Sequence, residues 1–98
     1  LEPRIFTDRG RLIYGPETVS RTCTLKRGLS VYYTAPETAM QDRRAGNQPY
    51  YTYGAGLLGP GRSDVYLDGT DVERILGHES GRLALRRCSV VFVVHKGP

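Results

Sequence analysis

The chain has 98 residues, 39% of them apolar and 24% charged, with twelve glycines and six prolines. That length suits a single domain spanning 1–98 with a small core, and no apolar run approaches the ~20 residues of a membrane span. The net charge of +4 rests on twelve arginines against two lysines, a balance that favours anionic partners and also suits solubility.

The opening LEPRIFTDRG has neither an initial Met nor the apolar core of a signal peptide. It reads as a processed product or an excised piece, and the compartment stays open. Arg11-Leu12-Ile13-Tyr14 reads as a short strand stopped by Gly15-Pro16. In RTCTLK, Cys23 and Leu25 alternate with polar residues, which predicts a strand. Arg27-Gly28 then reads as a tight turn into a second strand at Leu29–Tyr33.

Residues 35–49 read as a loop with room for one helical turn from Glu37 to Arg44. Tyr50-Tyr51-Thr52-Tyr53 is a strand by composition. Residues 54–61 form a glycine-rich connector, and Asp64–Leu67 a short strand ended by Asp68-Gly69. One short helix is predicted near 71–77, with Thr70 as N-cap, Glu73 completing a capping box, and Val72, Ile75 and Leu76 as its apolar face. Leu83–Val94 reads as the final strand. The five apolar residues from Val90 to Val94 predict a central strand near 88–95, buried on both faces. The expected fold class is therefore α+β or α/β, strand-rich and small.

Several constellations bear on chemistry. Gly54-x-Gly56-x-x-Gly59 fits a dinucleotide fingerprint, but Pro60-Gly61 blocks the helix such a site requires. His78 and His95 lack the spacing of a metal site, so neither metal nor cofactor is expected. The seven tyrosines lie among arginines, an arrangement that can stack the bases of a single-stranded nucleic acid or simply occupy half-buried strand positions. Cys23 and Cys88 form either one disulfide or two thiols. Arg86 and Arg87 next to Cys88 would lower its pKa, but a cysteine nucleophile also needs a base, here His78 or His95.

The blocks RLIYGPE, TLKRGLSVYYTAPE and DGTDVERILGHESGRLALRRC resemble, in order, those of the bacterial Stv-type putative adhesin domain. That family shares its His-Gly…Cys order with caspase-like cysteine peptidases. The resemblance implies an α/β sheet with Cys88 at the nucleophile position. Tyr14-Gly15 stands where the family has His-Gly, and tyrosine is a poor base at neutral pH. The implied dyad is broken.

The expected function is that of a small basic interaction domain without catalysis of its own, set in a secreted adhesin or effector. Its expected contact residues are Arg43, Arg44, Tyr50, Tyr51, Tyr53 and Arg62, and its partner a protein or an anionic ligand. One alternative is a hydrolase using Cys88 with His78. The other is a nucleic-acid or polyanion binder.

Overall fold

The computed structural model describes residues 3–58 and 64–94. The first hairpin joins β1 (Ile5–Thr7) to β2 (Leu12–Tyr14). Gly10 makes its turn at φ 87°, and the buried Thr7 hydroxyl accepts from Arg9 and Arg11 N–H. β1 then pairs in parallel with β5 (Asp64–Leu67), Ile5 opposite Val65. β4 (Gly56–Leu58) pairs antiparallel on the far side of β5. The four-stranded order is β2-β1-β5-β4. A separate parallel pair joins β3 (Tyr32–Tyr33) to β6 (Phe92–Val93).

The fold is α+β, with four α-helices among the described residues where the sequence predicts one. The segment expected as a strand at Cys23 and Leu25 is α1 (Arg21–Lys26). Six residues make under two turns, too few for a period of two to be told from one of 3.6. Its ends carry the decisive chemistry. The Ser20 hydroxyl accepts from Cys23 N–H, and Gly28, at φ 73°, donates back to the Cys23 and Thr24 carbonyls. α2 (Pro36–Met40) starts with proline at its first turn, and a 3-10 turn (Arg43–Ala45) follows.

The helix predicted near 71–77 is α3 (Gly69–Leu76), capped by Asp68 rather than Thr70: the Asp68 carboxylate accepts from Asp71 N–H at 2.9 Å. The start of the expected final strand, Leu83 to Arg86, instead belongs to α4 (Glu79–Arg86). It stacks on α3 so closely that a Cβ on Gly81 would overlap the Ile75 carbonyl oxygen. α4 ends with Ser89 N–H donating to the Ala84 carbonyl and with Cys88 at φ 58°. That left-handed position normally belongs to glycine, so the sequence carries no visible stop there. The central strands are accordingly β1 and β5, and residues 92–93 lie in the two-stranded pair instead.

The core gathers Ile5, Ile13, Tyr14, Cys23, Leu29, Leu67 and Cys88, with Val72, Ile75, Leu76, Leu85, Val90 and Phe92 packed around it. Cys23 and Cys88 are bonded to each other, their Cα atoms 5.8 Å apart. The bond ties the first turn of α1 to the residue that ends α4. No helix among the described residues is long and apolar enough to cross a membrane.

Candidate binding cleft

The segment from Gly46 to Gly54 belongs to no strand, and the Ala55 N–H after it donates to the Tyr66 carbonyl of β5. From Asn47 to Gly54 it makes no backbone–backbone hydrogen bond among the described residues. The strand expected at Tyr50–Tyr53 is therefore a strap. Gly54 at its end and Gly56 at the start of β4 both lie tight against side chains of β5. A Cβ on Gly54 would come within 2.6 Å of Val65 Cγ1, and one on Gly56 would overlap the Tyr66 ring. Gly54 and Gly56 thus make room for the Val65 and Tyr66 side chains of β5, and no helix begins after them among the described residues until α3.

Two tyrosine–carboxylate bonds hold the strap and the turn before it. The Tyr50 hydroxyl donates to Asp71 Oδ1 at 2.6 Å, pinning the strap to the first turn of α3. The Tyr33 hydroxyl donates to Asp42 Oδ2 at 2.7 Å, while Asp42 Oδ1 accepts from Arg44 N–H and starts the 3-10 turn. The Tyr33 bond, then the Arg44 backbone N–H, hold the Asp42 carboxyl below its ordinary value. The Thr52 hydroxyl, then that of Tyr50, do the same for Asp71. The same tyrosine bonds raise Tyr33 and Tyr50 above 10.0.

The signs fix the pH window. A lowered carboxyl pKa gives stability that is present above 3.8 and lost as pH falls through the folded value. A raised tyrosine pKa gives stability that is present below 10.0 and lost as pH rises through the folded value. The attachments are therefore complete between these limits and fail at both extremes. In a phenolate absorbance titration, Tyr33 and Tyr50 are expected to ionise above pH 10.0. Asp71→Asn should move one of those phenols back toward 10.0, and an unchanged curve would count against the Tyr50–Asp71 attachment.

Between the strap, the sheet and the α3–α4 pair lies an open cleft of about 1610 Å³. Its floor includes Ile5, Ile13, Val65 and Leu67. Its wall carries Arg27, Arg43, Arg44, Arg74, Arg87 and His78, and no Asp or Glu is among the described residues lining it. Tyr50, Tyr51 and Tyr53 line it as well, Tyr53 with 92% of its surface exposed.

Five of the six expected contact residues, Arg43, Arg44, Tyr50, Tyr51 and Tyr53, thus meet at one cleft. Arg62, like His95, lies outside the described residues. The Arg44 side chain is committed to the fold. Its guanidinium donates to the Arg27 carbonyl at 2.6 Å and the Gly28 carbonyl at 3.2 Å, closing the end of α1. Arg43 has no hydrogen bond or ion pair from its side chain among the described residues. Arg27, Arg74 and Arg87 join the wall without having been expected there. They come from three distant elements, and only the folded chain brings them together.

Nucleophilic chemistry at Cys88 requires a thiolate, but its sulfur is bonded to Cys23 and the residue is 0% exposed. His78 stands at the N-cap position of α4 on the exposed cleft wall, with no capping hydrogen bond from its side chain. Tyr14, which stands where the adhesin resemblance has histidine, is fully buried and its hydroxyl donates to the Leu29 carbonyl at 2.6 Å.

The family model described as Treponema pallidum Tp0624, second domain, matches residues 1–96. No curated protein matches the chain.

Proposed function

The chain belongs to the family of the Treponema pallidum Tp0624 second domain, and for it we propose a role as a non-catalytic interaction domain whose cleft receives an anionic partner. The single observation that carries this reading is the composition of the wall: five arginines, one histidine and no carboxylate among the described lining residues. The whole chain has ten acidic residues against fourteen basic ones, so a diffuse excess does not produce a wall of one sign. Guanidinium groups match carboxylate and phosphate geometry alike. A low-dielectric floor strengthens their pull on a seated anion. The buried disulfide supports an oxidising setting, which suits the secreted adhesin or effector context that the sequence resemblance implies.

Tripolyphosphate is a suitable probe because it offers anionic oxygens with no peptide backbone and no apolar surface. Arg43→Glu with Arg87→Glu is expected to weaken its binding at least tenfold in calorimetric titration. Arg9→Glu with Arg21→Glu makes the same change in net charge at exposed sites outside the cleft and is expected to leave binding near wild type. Equal loss in both pairs would reduce the cleft to a diffuse charge effect and end the proposal. Exposed Tyr51 and Tyr53 favour a second reading, single-stranded nucleic acid stacked on the strap. It requires oligo-dT to bind far more tightly than tripolyphosphate and to lose that advantage on Tyr51→Ala with Tyr53→Ala.

A further inference from the structure

We infer that β6 is a docking strand whose outer edge takes an extended acidic peptide as a third strand within the arginine-walled cleft. The inference rests on the anion-binding reading above and goes further by naming the partner's chemistry and conformation.

The first observation is the hydrogen-bond pattern. Phe92 N–H donates to the Val31 carbonyl at 3.0 Å, and Val94 N–H to the Tyr33 carbonyl at 2.8 Å. Successive backbone groups of a strand point to opposite sides, so the N–H and C=O of Val91 and Val93 point away from β3. Among the described residues those groups have no hydrogen-bond partner.

The second observation is a mismatch between composition and position. Val90 to Val94 is the kind of apolar run that belongs to a strand covered on both sides. Yet it lies at the margin of a two-stranded pair, with Val93 and Val94 each 44% exposed. The run from Val90 to Val94 itself carries neither a charge nor a proline, the devices that normally protect such an edge, and Lys96 and Pro98 come only after it in the sequence.

The third observation sets the chemistry of the partner. Val91, Phe92 and Val93 line the same cleft as Arg27, Arg43, Arg74 and Arg87. The arginines select acidic side chains over basic ones. The open backbone donors and acceptors select a polypeptide over a nucleic acid or a simple anion, because only a peptide returns hydrogen bonds along a strand. Backbone pairing then supplies affinity, and alternate apolar and acidic side chains supply specificity.

Three blocked octapeptides test this: (Glu-Val)4, (Lys-Val)4, and (Glu-Val)4 with all of its backbone nitrogens methylated, so that neither edge can donate. The first is expected to bind and to slow amide hydrogen exchange at Val91 and Val93 at least tenfold. The lysine peptide and the N-methylated peptide are each expected to bind at least tenfold more weakly. Val93→Pro removes one outward N–H and spares the bonds from Phe92 and Val94. It should lose the peptide while still binding tripolyphosphate.

Equal binding of the methylated peptide would overturn strand addition but leave the anion cleft standing. Tripolyphosphate binding that ignores Arg43→Glu with Arg87→Glu would instead remove the parent reading. Protection of Val93 in the free protein that rises with concentration would make the occupant a second copy of this chain, and would overturn the acidic peptide.

Discussion

Removing the Cys23–Cys88 bond is expected to lower the unfolding free energy by about 4 kcal/mol, the chain-entropy value for closing a loop of this length. The two cysteines are 65 residues apart, so the unfolded chain is released from a long closed loop when the bond is absent. Small domains have only about 5–15 kcal/mol in total. The reduced protein should therefore be marginal at ambient temperature. Urea denaturation with and without reductant gives the difference directly, and Cys23→Ser with Cys88→Ser gives it without reductant.

The backbone at Cys88 refines this expectation. Its φ of 58° costs an ordinary residue about 1–2 kcal/mol and glycine almost nothing. Cys23→Ser with Cys88→Gly should then be more stable than the double serine variant by about 1 kcal/mol. A reductant effect under about 1 kcal/mol, with no advantage for glycine, would show that the bond does little to hold the fold.

The second large effect is expected at Tyr14. The ring is fully buried in the core, and its hydroxyl reaches from the end of β2 to the carbonyl of Leu29, just beyond α1. Tyr14→Phe keeps the ring but leaves a buried carbonyl short of a donor, at a cost of about 1–3 kcal/mol. Tyr14→Ala also opens a cavity, and about 3–5 kcal/mol is expected by analogy with other buried aromatic truncations. Both losses should appear as a lower urea midpoint at an unchanged slope. A phenylalanine variant as stable as the parent would mean that the Leu29 carbonyl finds another donor at no cost.

The elements legible in the sequence carry their own punctuation. β2 stops at Gly15-Pro16, β5 at Asp68-Gly69, and α3 shows three apolar residues at helical spacing. α1 and α4 both read as strands, for different reasons. α1 is too short to show a period, and its Thr22 and Thr24 favour strands by propensity. α4 runs without a glycine stop into an apolar segment, because the disulfide needs a side chain where helices usually place glycine. Arginines and tyrosines on one continuous stretch, Arg43 to Tyr53, stand out together. Arg27, Arg74 and Arg87 do not, since nothing local says that the ends of α1, α3 and α4 face one cleft.

The parallel pairing of β1 with β5 has a consequence for how the molecule is made. Ile5 meets Val65, and Thr7 meets Leu67, across some sixty intervening residues. A chain emerging from the ribosome can form its first hairpin early, but that hairpin lacks its parallel neighbour until Leu67 is clear of the exit tunnel. Until then Ile5 and Ile13 are apolar surface waiting for a lid. Contacts so distant in sequence close late and slowly. The nascent domain therefore carries its first hairpin without its parallel neighbour until β5 has been made, and its sheet becomes a folded object only then.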